Sequence, residues 1–167
     1  MTAVQLILGA VLLQRLVELW VARRNTERLL AEGAVEIAPE HYHYFVILHA
    51  AWLGALVLFT PDHAAPDLVW LTFFLILQAG RVWVMLSLGR LWTTRIITLP
   101  GAPLVHSGPY RYLRHPNYLI VIGEIAALPL VFGHWEMALV FSGLNAMLLR
   151  VRIRAENEAL AERRALD

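Results

Sequence analysis

Residues Leu68–Leu88 read L-V-W-L-T-F-F-L-I-L-Q-A-G-R-V-W-V-M-L-S-L, a run whose single charge is Arg81. A helix crosses the hydrocarbon of a bilayer with about 20 mainly apolar residues, and about 17 is the lower limit. This run is long enough, and the chain around it repeats the pattern. Further apolar runs cover residues 3–22, 44–60, 118–132 and 135–149. The last two are short and are separated only by Gly133 and His134, so they read as a hydrophobic hairpin with a tight turn. Arg15 and Glu18 interrupt the first run and no small-residue cleavage site follows it, which argues against a signal peptide.

Composition agrees. Of 167 residues, 59% are hydrophobic and 16% charged, against about 45–50% and about 25% in soluble domains. A soluble chain this small cannot hide so much apolar surface. The sequence therefore predicts one all-α domain over residues 1–167, an integral membrane bundle of five transmembrane helices with a cytoplasmic pocket and a C-terminal helix. A net charge of +1 excludes a strongly basic nucleic-acid binder. No cysteine is present, hence no thiolate metal site or catalytic thiol.

Charge placement orients the bundle. Every basic residue is an arginine. Arg23, Arg24 and Arg28 follow the first run. Arg90, Arg95, Arg111 and Arg114 lie between the third and fourth, and Arg150, Arg152, Arg154, Arg163 and Arg164 follow the fifth. The segment between the second and third runs carries Asp62 and Asp67 but no arginine. Five spans with the N-terminus outside place every loop arginine in the cytoplasm, as the positive-inside rule requires. The cytoplasmic side then consists of residues 23–43, residues 89–117 and the tail. The middle piece holds Pro100, Pro103, Pro109 and Pro116, too many breakers for one helix.

Ionisable residues at membrane depth are functional candidates unless paired. Arg15 and Glu18 share a helix face, either as a self-contained pair or reaching a partner on another helix. Arg81 and Glu124 are placed to pair across the bundle, or to line a polar cavity that holds a charged cofactor or headgroup. His41, His43 and His49 could suggest a metal, but residues of this type gather at the membrane boundary and no compelling third-ligand spacing exists, so no metal site is assigned.

The richest segment covers residues 106–118, H-S-G-P-Y-R-Y-L-R-H-P-N-Y. Pro116 suits the first position of a helix, with His115 as its cap. That helix start can attract an anion, helped by Arg111 and Arg114; the same composition also fits a stretch lying on anionic lipid headgroups. In the tail, R-I-R-A-E-N-E-A-L over residues 152–160 places Arg152 four before Glu156 and Arg154 four before Glu158, a spacing that allows ordinary surface ion pairs.

The run G-P-Y-R-Y-L-R-H-P-N-Y, followed by Glu124 and L-P-L at 128–130, resembles the isoprenylcysteine carboxyl methyltransferase family. The tail is similar to the second half of that family's cofactor signature. Arg15, Glu18, Asn25, Gly33, Glu36, His41, Tyr42, His49 and Trp52 resemble a bacterial subgroup similar to alkylpyrone and alkylresorcinol O-methyltransferases. The resemblance implies S-adenosylmethionine as cofactor, held by Tyr110, Arg114, His115, Pro116, Tyr118 and Glu156. It makes Arg152 the leading catalytic residue, with Glu124 and Arg81 as further candidates. The family's paired glutamates read Glu156-Asn157 here, and the tail ends at Asp167 without the extension of eukaryotic members. The first departure removes one acidic partner, a place Glu158 could fill, and the second favours a lipophilic small-molecule acceptor with an oxygen nucleophile over a prenylated protein. The expected partners are that acceptor and membrane lipid, with no nucleic acid and no obligate protein partner, in a bacterial cell membrane. An NADPH-dependent membrane reductase and a non-enzymatic membrane scaffold are the alternatives.

Overall fold

A computed structural model describes residues 1–161. Arg163 and Arg164, part of the expected basic tail, lie outside the described residues.

Five α-helices run back and forth through the bundle: α1 Ala3–Ala31, α2 Glu40–Phe59, α3 Leu68–Leu88, α4 Pro116–Val131 and α5 Trp135–Ala159. Three helical stretches, Ala3–Ala31, Glu40–Phe59 and Leu68–Leu91, are long and apolar enough to cross a membrane by length and composition. The Pro116–Val131 helix is shorter, and the last turns of α5 carry Arg150, Arg152, Arg154, Glu156 and Glu158. Leu58, Val69, Leu86 and Leu139 each expose two thirds or more of their surface. Such an apolar exterior suits lipid rather than water.

α4 is the inner helix. It packs against α3 on one side and α5 on the other, and Ile120, Val121, Glu124, Ile125, Ala127, Leu128 and Val131 are all buried. Of these, Val121, Ile125, Ala127, Leu128 and Val131 meet Val4, Leu8 and Val11 of α1, Trp52 and Leu56 of α2, and Phe74 of α3 in the main core. Gly123 makes the α3–α4 approach close, since a Cβ there would sit 2.7 Å from Leu77 Cδ1.

The two ends of the bundle differ in chemistry. At one end Gln5 Nε2 donates to Asp62 (3.3 Å), Asp67 N to the Val131 carbonyl (2.8 Å), and Thr60 Oγ1 lies 3.1 Å from His134 Nε2. Asp67 caps α3 through Val69 N and Trp70 N. Gly133, at φ +77°, makes the turn between α4 and α5, a conformation that a side chain disfavours.

The other end holds the connecting segments and most of the arginines. The sequence places the end of the first helix near residue 22, but α1 continues to Ala31. Residues 23–31 include the good helix formers Arg23, Arg24, Glu27, Arg28, Leu29, Leu30 and Ala31, and the Arg23–Glu27 pair lies one turn apart at 2.9 Å. Two short strands are a second departure from the all-α expectation. β1 Val35–Ile37 pairs antiparallel with β2 Ile96–Thr98, with Glu36 opposite Ile97. Three residues are too few to show an alternating pattern. Arg95 ties this ladder to α2: it pairs with Glu36 at 2.7 Å and stacks over the Tyr42 ring at 4.5 Å. Asn25 of α1 donates to the Trp92 carbonyl at 2.9 Å, fixing the start of the segment that leads to β2.

Candidate active site

Pro116 stands at the first turn of α4 with His115 as the cap residue, so the chain enters this helix as its sequence predicts. Ahead of it, Gly108–Arg111 forms a short 3-10 turn packed on α3. Gly108, at φ +60°, allows that contact: a Cβ would lie 2.1 Å from Ser87 Oγ. This turn and cap deliver Tyr110, Arg114, His115 and Tyr118 to the arginine-rich end of the bundle. The late turns of α5 deliver Arg152 and Glu156 from the opposite side.

These groups form one connected network. Arg152 Nη2 donates to the Thr94 carbonyl at 2.7 Å, and its Nε donates to the Tyr118 hydroxyl at 3.1 Å. Tyr118 in turn donates to Glu156 Oε2. The His115 ring stacks on Tyr118 at 5.3 Å, with Nδ1 3.5 Å from Glu156 Oε2 and Nε2 3.1 Å from Asn157 Oδ1. Asn157 therefore engages the histidine from the position where the family signature has a second glutamate, and Glu158 is exposed. The Arg152 guanidinium lies over the Phe45 ring at 5.1 Å, which brings α2 to the site. Arg152 is only 9% exposed, so it belongs to this interior network rather than to a solvated helix face.

Two cavities meet here. The larger, about 430 Å³, is lined by Arg95, His106, Tyr110, Arg114, His115, Tyr118, Arg152 and Glu156, among others. Its size suits a small-molecule site. Burial and the charge of Glu156 raise the Tyr110 hydroxyl above the usual phenol range, so it stays protonated and able to donate. The smaller cavity, about 270 Å³, runs between α1 and α2 and is lined by Leu12, Leu16, Leu19, Phe45, Val46 and Leu53, with Arg15, Glu18, His49 and Arg81. Trp92, Thr93, Asn117, Tyr118 and Arg152 line both. Two buried polar atoms on this shared wall lack a partner, the Trp92 Nε1 donor and the Asn117 Oδ1 acceptor. Buried polar groups are normally satisfied, so these two atoms leave one donor and one acceptor of hydrogen-bonding capacity on the wall.

Arg81 and Glu124 belong to a different assembly. Arg81 Nε donates to Glu18 at 2.7 Å and Nη1 to Glu124 at 2.8 Å. Arg15 reaches Glu18 at 2.8 Å and Glu124 at 3.0 Å. Gln14 and Gln78 complete the ring, donating to Glu18 and Glu124 at 2.8 Å each. The glutamate on α1 thus pairs both within its own helix and across the bundle. Glu124 lines neither cavity, whereas Arg81 faces the smaller one. Pro116 lines neither and acts by setting the first turn of α4. No three histidine or acidic side chains converge among the described residues in a way that could hold a metal.

Four residues escaped the sequence reading as site residues: Trp92, Thr93 and Asn117 of the shared wall and, beside Arg152, Thr94. Asn117 carries a usable signal, since it follows Pro116 in the first turn and lies seven residues before Glu124. The others sit in an irregular connection with no periodicity to mark them.

Residues 70–162 match the isoprenylcysteine carboxyl methyltransferase (ICMT) family. The matched region holds α3, the tyrosine- and arginine-rich turn, α4 and α5, and so most of the network above. The chain is 38% identical over 161 residues to the uncharacterized protein YpbQ of Bacillus subtilis (strain 168), covering 94% of this chain and 96% of the relative. It is 25% identical over 166 residues to an uncharacterized protein of Haemophilus influenzae, with 96% of each chain covered. No solved structure gives a significant match. The chain is a member of the isoprenylcysteine carboxyl methyltransferase family.

Proposed function

We propose that residues 1–167 form one membrane methyltransferase domain that uses S-adenosylmethionine to methylate an oxygen atom of a lipophilic small molecule. The observation that carries this reading is the shared wall. A mixed polar cavity and an apolar cavity touch at Arg152, Tyr118 and Asn117, as a reaction between a polar donor and a greasy acceptor requires.

The residues present fit the cofactor. Asn117 Oδ1 can accept from an ammonium or a ribose hydroxyl, and Trp92 Nε1 can donate to a carboxylate. Glu156 supplies negative charge for the sulfonium and ammonium groups, Arg114 offers positive charge to a carboxylate, and Tyr110 and His115 supply ring surface. When bound, S-adenosylmethionine supplies an electrophilic methyl group. Arg152, held by Thr94 and Tyr118, orients an ionised oxygen at the meeting point of the cavities. Displacement at a methyl group needs aligned reactants and little else, so positioning is the main contribution of the protein. The apolar walls of the smaller cavity take the alkyl tail.

In the membrane, α1 to α5 make five crossings, with the N-terminus outside and the site facing the cytoplasm. The arginine distribution supports this orientation. The bacterial origin of both relatives supports a bacterial cell membrane. Among acceptors, an alkylated pyrone or resorcinol fits better than a prenylated protein, because the apolar cavity takes a chain but the described surface offers no large soluble docking face.

The test is a titration of the purified protein with S-adenosylmethionine, its demethylated product and NADPH, followed by methyl incorporation into an alkylpyrone, an alkylresorcinol and a prenylcysteine analogue. Binding of the first two and methylation of the pyrone or resorcinol are expected. Preferential NADPH binding would replace the reading with a reductase, and binding of no nucleotide would leave a scaffold.

A further inference from the structure

His49 is a half-buried imidazole that the proposed reaction has not used. It sits one turn after Phe45 on α2 and lines the smaller cavity, the one also bordered by Arg152. Its Nδ1 lies 2.8 Å from the Phe45 carbonyl. A carbonyl can only accept, so Nδ1 carries the proton and Nε2 keeps the lone pair. Trp52 holds the ring from the side, edge-to-face at 6.3 Å. Nε2 makes no hydrogen bond among the described residues.

The geometry points to His49 as the proton acceptor for a hydroxyl acceptor molecule, a phenol or enol, bound in the cavity between α1 and α2. This assignment rests on the methyltransferase reading and narrows it. A carboxylate arrives ionised and needs no base, whereas a hydroxyl must lose its proton before or during attack. Nε2 takes that proton and forms an imidazolium. The oxygen's freed electron pair forms the new bond to the methyl carbon of the sulfonium donor. The carbon–sulfur bond breaks with its electron pair remaining on sulfur, leaving a neutral thioether. The imidazolium then releases its proton to water through the larger cavity.

The charges around the ring bear on both partners of this step, the arginines favouring the ionised oxygen and opposing the imidazolium, and Glu124 favouring the imidazolium. Arg15 and Glu18 on α1 and Arg81 on α3 line the same cavity, as do Tyr118 of α4 and Arg152 of α5. Glu124 of α4 also acts on the ring electrostatically. On its own helix, Tyr42 lines the cavity too. Arg15 and Arg81 are balanced by Glu18 and Glu124, so Arg152 is the lining cation left to favour the ionised oxygen.

The experiment uses the full chain in lipid nanodiscs, with His49→Gln and His49→Asn as variants. The probe for proton transfer is a nonyl-substituted nitrophenol, added without methyl donor, whose ionised form is read by absorbance. Bound to the wild type it should ionise about one pH unit or more below the probe in protein-free nanodiscs. In both variants that shift should shrink to the part that Arg152 alone supplies. With S-adenosylmethionine, kcat for an alkylresorcinol should fall roughly 100-fold or more in the variants. Cofactor affinity should hold, since His49 does not line the larger cavity. Unchanged probe ionisation and turnover in variants that still bind cofactor would overturn the role of His49 and leave the methyltransferase reading intact. So would methylation confined to a fatty carboxylate. A wild type that neither binds S-adenosylmethionine nor methylates any acceptor would overturn both.

Discussion

The molecule contains two polar networks inside an apolar bundle, and they are built on opposite terms. The four-charge ring of Arg15, Glu18, Arg81 and Glu124 is electrically neutral, and each carboxylate oxygen has at least one donor within 3.0 Å. Among its fully buried nitrogens, Arg15 Nε lacks a hydrogen-bond partner. The network of His115, Tyr118, Arg152 and Glu156 borders a cavity and leaves Asn117 Oδ1 and Trp92 Nε1 unpartnered on its wall. A closed ring holds helices in register, whereas an open network offers its spare capacity to a ligand. Charge at membrane depth is therefore not enough to identify a reaction centre; the state of its hydrogen bonds decides.

Breaking the ring should give the largest effect. Glu124→Leu leaves two arginines facing one glutamate, and removing one partner of a buried ion pair costs about 3–5 kcal/mol. Thermal unfolding in detergent should show this loss. The double variant Arg81→Met, Glu124→Leu keeps the Arg15–Glu18 pair neutral and should recover part of it. No recovery would mean that the ring is more than a charge-balanced staple.

The open network should respond in the opposite way. Arg152→Gln should lower turnover about 100-fold at saturating cofactor, because misaiming the nucleophile costs on that order. Cofactor affinity should change little. Equal losses in affinity and turnover would place Arg152 in cofactor binding instead. His115→Ala should act on binding, weakening S-adenosylmethionine by about 1.5–3 kcal/mol, the value of a hydrogen bond involving charge. Direct titration of the folded variant measures it.

How far the sequence reveals these networks depends on the range of each contact. Apolar run length and arginine placement indicate the helices and their alternation. The cap at His115–Pro116 is local chemistry and is legible in a few residues. The Arg81–Glu124 pair is inferable because both charges sit in apolar runs with nowhere else to go. The closure of the ring by Arg15 is not, since it depends on how α1 turns against α3 and α4. The wall residues Trp92, Thr93 and Thr94 come from a connection shaped by the three-residue β1–β2 ladder and by the Asn25 contact, both set by tertiary packing. The inward turn of Arg152 is equally invisible, because its spacing from Glu156 also fits a surface pair.

Gly108→Ala sharpens the comparison on a smaller scale. A Cβ there meets Ser87 at 2.1 Å in a left-handed conformation, so the turn carrying Tyr110 should shift at a cost of about 1–2 kcal/mol. Cofactor affinity should fall while the four-charge ring stays intact, as read by an unfolding transition that remains single. At the low end, Arg23→Ala breaks a pair whose members are 82% and 64% exposed. It should leave unfolding and binding unchanged, since exposed pairs contribute little.

The central claim is that the open network is a cofactor site and the closed ring is not. Calorimetric titration of S-adenosylmethionine into the wild type, Glu156→Ala and the charge-balanced Arg81→Met, Glu124→Leu variant tests it in one series. The account predicts binding to the wild type, at least tenfold weaker binding to Glu156→Ala, and near wild-type affinity in the folded ring variant. Undiminished binding to folded Glu156→Ala, or no binding to the wild type, would contradict it.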